Sequence, residues 1–255
     1  MADLREPLAK LRRADEHRQA FDRVFDRFLE TNPYTVSLKF DADSGWHEFA
    51  WQVQGGPPPS EELSLIFGDV LSNLRASFDY LVWQLVLAAG NDPGRKNSFS
   101  VVKNRGDWPS AQGNALQGVD DTWAAEIESL QPYHRTARPE IHPLAILDYV
   151  NNLNKHRFLP VTIFALHEWQ PVINVERMAT GEQLHFDTHF DQPIEDGAPL
   201  LRFRADSSVQ LEVSVNEQPS VRVSFRDGLS HDWFTSDLID WATRALAGFE
   251  PAFRR

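Results

Sequence analysis

Ten apolar residues, Leu63, Ile66, Phe67, Val70, Leu71, Leu74, Phe78, Leu81, Val82 and Leu85, recur at three- and four-residue intervals. A strand, with its period of two, would scatter them over both faces, whereas a helix of about 3.6 residues per turn gathers them into one broad stripe. The spacing predicts a long helix over 61–89. Ser60 can cap it, Glu61 and Glu62 suit the positive end of its dipole, and Gly90 ends it. So wide an apolar face has to be surrounded by other elements, which makes this the central helix of a helical lobe.

The rest of the chain supplies the surroundings. From Leu4, the residues Leu8, Leu11, Phe21, Val24, Phe25, Phe28 and Leu29 keep a helical spacing until Asn32-Pro33 stops it. Val36, Leu38 and Phe40, then Phe49, Trp51 and Val53, follow a period of two on either side of 41-DADSG-45, the pattern of a β-hairpin over 35–54. After a polar loop, a short helix is expected over 120–130. Another runs from Pro143 through Leu144, Leu147 and Val150 to about 157, closed by Pro160. At Val161 the period changes to two. Segments 161–166, 184–190, 200–205, 209–215 and 221–225 are strand-like, an antiparallel β-meander, and a C-terminal helix over 230–247 carries Phe234, Leu238, Trp241 and Leu246. The expected fold class is α+β: a single domain with two lobes, mainly helical over 1–158 with the hairpin included, and a sheet lobe over 160–255 that includes the last helix.

A chain of 255 residues with 42% hydrophobic content can bury a large core. No apolar run approaches the roughly 20 residues that span a bilayer, and the polar stretch 1-MADLREPLAKLRRADEHRQ-19 is unlike a signal peptide. With no cysteine, disulfides, thiolate metal sites and a cysteine nucleophile are excluded. These features place the chain in the cytoplasm with no membrane partner. The net charge of −12 repels polyanions, so duplex DNA is not an expected partner, while a small anion held by a few placed cations is. A phosphate-binding glycine loop, a Gly-x-Ser-x-Gly elbow and a His-Glu-x-x-His helix are all missing, and no cofactor is expected.

Polar chemistry concentrates on two helices. Arg75 and Asp79 lie four residues apart within 72-SNLRASFDYLVW-83, and 148-DYVNNLNKHR-157 packs asparagines, a lysine, a histidine and an arginine into the end of the next long helix. Two antiparallel helices presenting these faces would form a groove. In it Arg75 and Lys155 would meet a small anionic ligand or an acidic protein segment, Asn151 and Asn154 would orient it, and Asp79 would fix Arg75. His156 would carry a proton as the catalytic group, with Arg157 at the rim. The plainer reading makes Lys155, His156 and Arg157 last-turn cations facing the negative end of the helix dipole, with function left to a homodimer interface.

The ordered set 73-NLRASFDYLVWQL-85, 130-LQPY-133 and 142-HPLAILDYVNNLNKHRFLP-160 resembles uncharacterised bacterial proteins, mostly actinobacterial, that share an LRxxxDxLxWxL, LQPY and NKHR pattern; that resemblance implies no activity. The helix 142–157 is also similar to the HEPN superfamily of helical ribonucleases and nucleotide-binding modules, where an arginine and a polar residue precede a histidine. Asn151 and His156 match the polar residue and the histidine; Val150 stands where the arginine would be, and Arg157 follows the histidine instead. The resemblance implies metal-independent cleavage, or binding, of single-stranded RNA.

The segment 185-HFDTHFD-191 places His185, Asp187, His189 and Asp191 on one side of a strand and Phe186 and Phe190 on the other. Two imidazoles and carboxylates at that spacing could ligate a divalent ion. A sheet with phenylalanines inward and a wet polar face explains the same alternation, and no metal is expected.

Overall fold

The computed structural model describes residues 2–155, 161–165, 172–177, 183–190, 192–206, 210–214, 221–225 and 229–254. Its elements are α1 (Arg5–Leu29), β1 (Tyr34–Asp41), β2 (Trp46–Val53), α2 (Ser60–Ala88), α3 (Trp108–Ala115), α4 (Asp121–Ser129), α5 (Pro132–Arg135) and α6 (Pro143–Asn154). There follow β3 (Val161–Ala165), β4 (Val172–Arg177), β5 (Leu184–Thr188), β6 (Pro199–Ala205), β7 (Gln210–Ser214), β8 (Val221–Phe225), β9 (Leu229–Ser230) and α7 (His231–Ala247). The fold is α+β. No helix among the described residues is long and apolar enough to cross a membrane.

The chain divides into two compact units that are not contiguous in sequence. Met1–Arg23, Glu61–Leu159 and Trp233–Arg255 make the helical unit, and Val24–Ser60 with Pro160–Asp232 make the sheet unit. This differs from a division near residue 158. The hairpin belongs with the sheet because β2 pairs with β6, and α7 belongs with the helices because Trp241 packs on Phe78 (ring centroids 5.7 Å apart) and on His142 (5.6 Å). A change of sequence period marks where strands start but not which strand or helix each element joins.

In the helical unit, α2 is the core element. Every residue of its ten-member stripe except Ile66 is buried to 1% exposure or less. The first part of α1 runs antiparallel to it: Phe21 packs edge-on against Phe67 at 6.5 Å, and the Gln84 amide accepts from the Asp3 N–H and donates to Glu6. Phe99, fully buried, rests on Phe78 at 4.9 Å.

In the sheet unit the pairings among the described residues are antiparallel, and their order is nested rather than consecutive: β5 pairs with β6, β4 with β7, and β3 with β8. The pair β3–β8 belongs to a three-stranded sheet of order β3-β8-β9, and β4–β7 forms a two-stranded one. The four-stranded sheet has the order β1-β2-β6-β5. Its cross-strand rows alternate by face, as the pleat requires. Phe40, His47, Phe203 and Phe186 form one row and Leu38, Phe49, Leu201 and Thr188 another, on the apolar face. On the opposite face the row Lys39, Glu48, Arg202, Asp187 alternates in sign across all four strands, with Arg202 Nε 3.1 Å from Glu48.

Candidate functional site

The seam between α2 and α6 is built from close backbone approach at one end and charge at the other. The Asn154 amide sits so near Gly68 that a Cβ there would stand 2.5 Å from its Oδ1 and 2.6 Å from its Nδ2. Seven residues along α2, Arg75 Nη1 lies 3.7 Å from Asp148 Oδ1, six residues back along α6. The reversed order fixes the two helices as antiparallel neighbours. From Asp148 a polar chain continues along α6: Asn152 Nδ2 donates to its carboxylate at 3.3 Å, and Lys155 Nζ donates to Asn152 Oδ1 at 3.4 Å. Arg75, Asp148, Asn152 and Lys155 thus share one face. Asn151 is buried, 3% exposed. His156 and Arg157 lie outside the described residues.

Arg75 and Asp79 are occupied by the chain itself. The Asp79 carboxylate accepts the Phe99 N–H at 2.9 Å, and Arg75 Nη2 donates to the Phe99 carbonyl while lying 3.4 Å from Asp79. The pair presents an acceptor to the N–H and a donor to the C=O of one residue, Phe99, as a neighbouring strand would, which the segment after α2 otherwise lacks. The Arg75 side chain is only 16% exposed, and its Nη1, buried and without a hydrogen bond, faces Asp148. Expected to meet an anion, the Arg75 guanidinium instead meets a carbonyl and two carboxylates of its own unit. Asp79 lies 3.4 Å from Arg75 and, through the Phe99 N–H, holds a loop as well.

Residues to which the sequence reading gave no role, Gln131 within the LQPY stretch among them, complete this loop. Gln131, fully buried, accepts the Val102 N–H at 2.8 Å and donates to the Ile127 carbonyl at 3.2 Å. Asn97 donates to the Ala115 and Gln117 carbonyls and accepts from Gly94. The LQPY stretch is therefore a staple: its amide satisfies a buried backbone donor that no ladder reaches. The sequence signal was there, a glutamine between Leu130 and Pro132 with no polar neighbour to explain it.

Asp79 also lines an open cleft of about 440 Å³ with Glu6, Tyr80, Trp83 and Asn97. Tyr80 and Trp83 are 39% and 42% exposed, and Leu87, 40% exposed, continues the same helix face. The Lys10 ammonium stands 5.4 Å from the centre of the Tyr80 ring. Glu6 is held by the Gln84 amide and Asp79 by the Phe99 amide, so both carboxylates are oriented by neutral donors. Trp83 lines this cleft, whereas Trp108 is buried at 5% exposure and does not.

The alternative site on β5 resolves into pairs. His185 Nε2 lies 3.4 Å from Asp206 Oδ1, and His189 Nε2 lies 3.1 Å from Asp187 Oδ2. Along β6, His185 faces Arg204 and Asp187 faces Arg202. Asp191 is outside the described residues. Among the described residues no group of three or more histidines and carboxylates is arranged to hold a metal ion. Phe186 lies on the face opposite His185 and Asp187, stacked on Phe203 at 6.1 Å, but it is 54% exposed rather than turned inward as expected, because β5 is the edge strand of the sheet. Set beside known proteins, this chain matches no family model, no curated protein and no solved structure.

Proposed function

We propose that the helical unit is a binding module for a ligand bearing an ammonium or guanidinium group, taken up in the cleft of Glu6, Asp79, Tyr80, Trp83 and Asn97. The observation that supports this reading is the meeting of two exposed aromatic rings with two carboxylates in one cleft of about 440 Å³. An organic cation gains from the electron-rich ring faces and from the carboxylates at once, about 0.5–2 kcal/mol from the ring contact alone. One ring already takes an ammonium, that of Lys10. The net charge of −12 steers cations toward the chain at low ionic strength. The volume suits a small amine or one basic side chain rather than a folded partner. No nucleophile stands beside a base among these lining residues, which favours binding over catalysis.

The anionic ligand read from Arg75 and Lys155 has less support at the α2–α6 seam, because Arg75 is already flanked by Asp79 and Asp148. The test is a titration of the protein with lysine amide, arginine amide and tetramethylammonium, followed by backbone amide shifts in α2. A basic peptide forms a separate arm. Shifts centred on Tyr80, Trp83 and Asn97, lost in Trp83→Leu and weakened in Glu6→Gln, are expected. Equal shifts with succinate, or unchanged affinity in Trp83→Leu, would remove the proposal.

A further inference from the structure

A second cleft in the helical unit has the opposite character. It has a volume of about 520 Å³ and is lined by Arg105, Ala125, Glu128, Ser129, His134 and Arg135. Two guanidiniums and an imidazole thus face one carboxylate in a chain whose net charge is −12. That carboxylate is already engaged: Glu128 Oε1 accepts the Tyr133 hydroxyl at 2.7 Å and lies 3.5 Å from His134 Nε2. Burial, and then the hydrogen bond to Glu128, raise the Tyr133 hydroxyl well above its ordinary range, so it remains the donor in that pair. Arg135 is oriented by one bond, Nε to the Ser129 carbonyl at 2.7 Å, at the carbonyl end of α4. That bond uses the inner edge of its fork. Arg105, exposed on the turn that precedes α3, makes no side-chain hydrogen bond or ion pair among the described residues.

We infer that this cleft binds a small oxyanion, a phosphate ester or a carboxylate, between Arg105 and Arg135. A guanidinium presents paired N–H groups that match two oxygens of a phosphate or carboxylate. Arg135 is pre-oriented for this by its Ser129 bond, and Arg105 has no side-chain hydrogen bond or ion pair among the described residues. The volume exceeds that of inorganic phosphate, so the anionic group is one end of a small molecule whose remainder lies over Ala125 and the face of α4. Glu128 and His134 also line the cleft, and His134 can add a third donor. The site is separate from the aromatic cleft: the two share no lining residue, so failure of one leaves the other standing.

The experiment uses inorganic pyrophosphate and succinate as probes, with amide shifts of the whole chain as the readout. Perturbation confined to 105–107 and 125–135 is expected, with affinity lowered about tenfold or more in Arg105→Ala, the loss typical of one charge-assisted contact. Ala125→Glu, which removes no native contact, should abolish binding while leaving the far-ultraviolet circular dichroism unchanged. Stronger binding of pyrophosphate than succinate assigns the phosphate ester, and the reverse assigns the carboxylate. Undiminished binding in both variants would overturn the site. Tighter binding of oligouridylate than of either probe, with an affinity that falls over several powers of salt concentration, would overturn the small-ligand assignment in favour of RNA.

Discussion

The peptide clamp of Arg75 and Asp79 can be tested at a single amide. In Asp79→Ala the Phe99 N–H loses its acceptor at 2.9 Å, and Arg75 loses a carboxylate 3.4 Å away. A hydrogen bond to a charged group is worth about 1.5–3 kcal/mol, and a screened ion pair adds less than about 1 kcal/mol. Because the Asp79 side chain is 34% exposed, water can reach the vacated place. The loss should then lie low in that range, about 2 kcal/mol, which corresponds to about 30-fold faster exchange of the Phe99 amide hydrogen. Asp79→Asn keeps an acceptor oxygen and gives up the charge, so its effect should be several-fold smaller. Amide hydrogen exchange by NMR, with Leu74 and Leu81 in the middle of α2 as references, measures both. Unchanged exchange at Phe99 would refute the clamp. An equal acceleration at all three residues would show that Asp79 supports the whole unit and not this loop.

Two further outcomes follow from the same unit. Gln131→Leu leaves the buried Val102 N–H without its acceptor, while the Ile127 carbonyl keeps the Leu130 N–H, and it should lower stability to urea by about 1–3 kcal/mol, whereas a surface glutamine such as Gln19 should be neutral within about 0.5 kcal/mol. His142 caps α6 by accepting the Leu144 N–H on Nδ1 at 3.3 Å, and burial, followed by the charge of Arg135, holds its imidazole below the ordinary 6.5. The neutral form is the folded form, so its contribution is complete above pH 6.5 and is lost as pH falls from there through the lower folded value. His142→Asn, which keeps a capping oxygen, should remove that part of the pH dependence; an unaltered slope between neutral and acid pH would contradict it.

How much of this was legible depended on whether the interaction was local. The α2 stripe fixed a helix to within one residue at each end, because burial along a helix repeats in the sequence. The first helix, the hairpin and five strands were legible for the same reason. Helix α3, reading WPSAQGNA, was missed: only Trp108 and Ala115 are buried, too few to make a period. Strand β4 was missed as well, and the nested pairing of strands could not be read, since alternation assigns faces and not partners. At the candidate site, the seam was legible from helix faces. What Arg75 and Asp79 touch was not, because their partner is the Phe99 backbone, 24 and 20 residues away in a segment with no periodicity of its own. A charged side chain reveals its chemistry in a sequence, but a peptide group that will need it does not.

The interleaving of the two units has a consequence for how the chain emerges during synthesis. Residues 233–255 of the helical unit are made only after the whole sheet unit, and among them Trp241 and Phe249 supply ring contacts to Phe78 and Trp123. On the ribosome, the apolar flank of α2 that receives Trp241 therefore stays uncovered while some 140 later residues are translated. The β2 hairpin likewise waits for β6, about 150 residues downstream. Neither unit can close in the order in which it is written. Native structure in both should appear together and late, and nascent chains stopped before residue 233 should present the α2 surface to a chaperone.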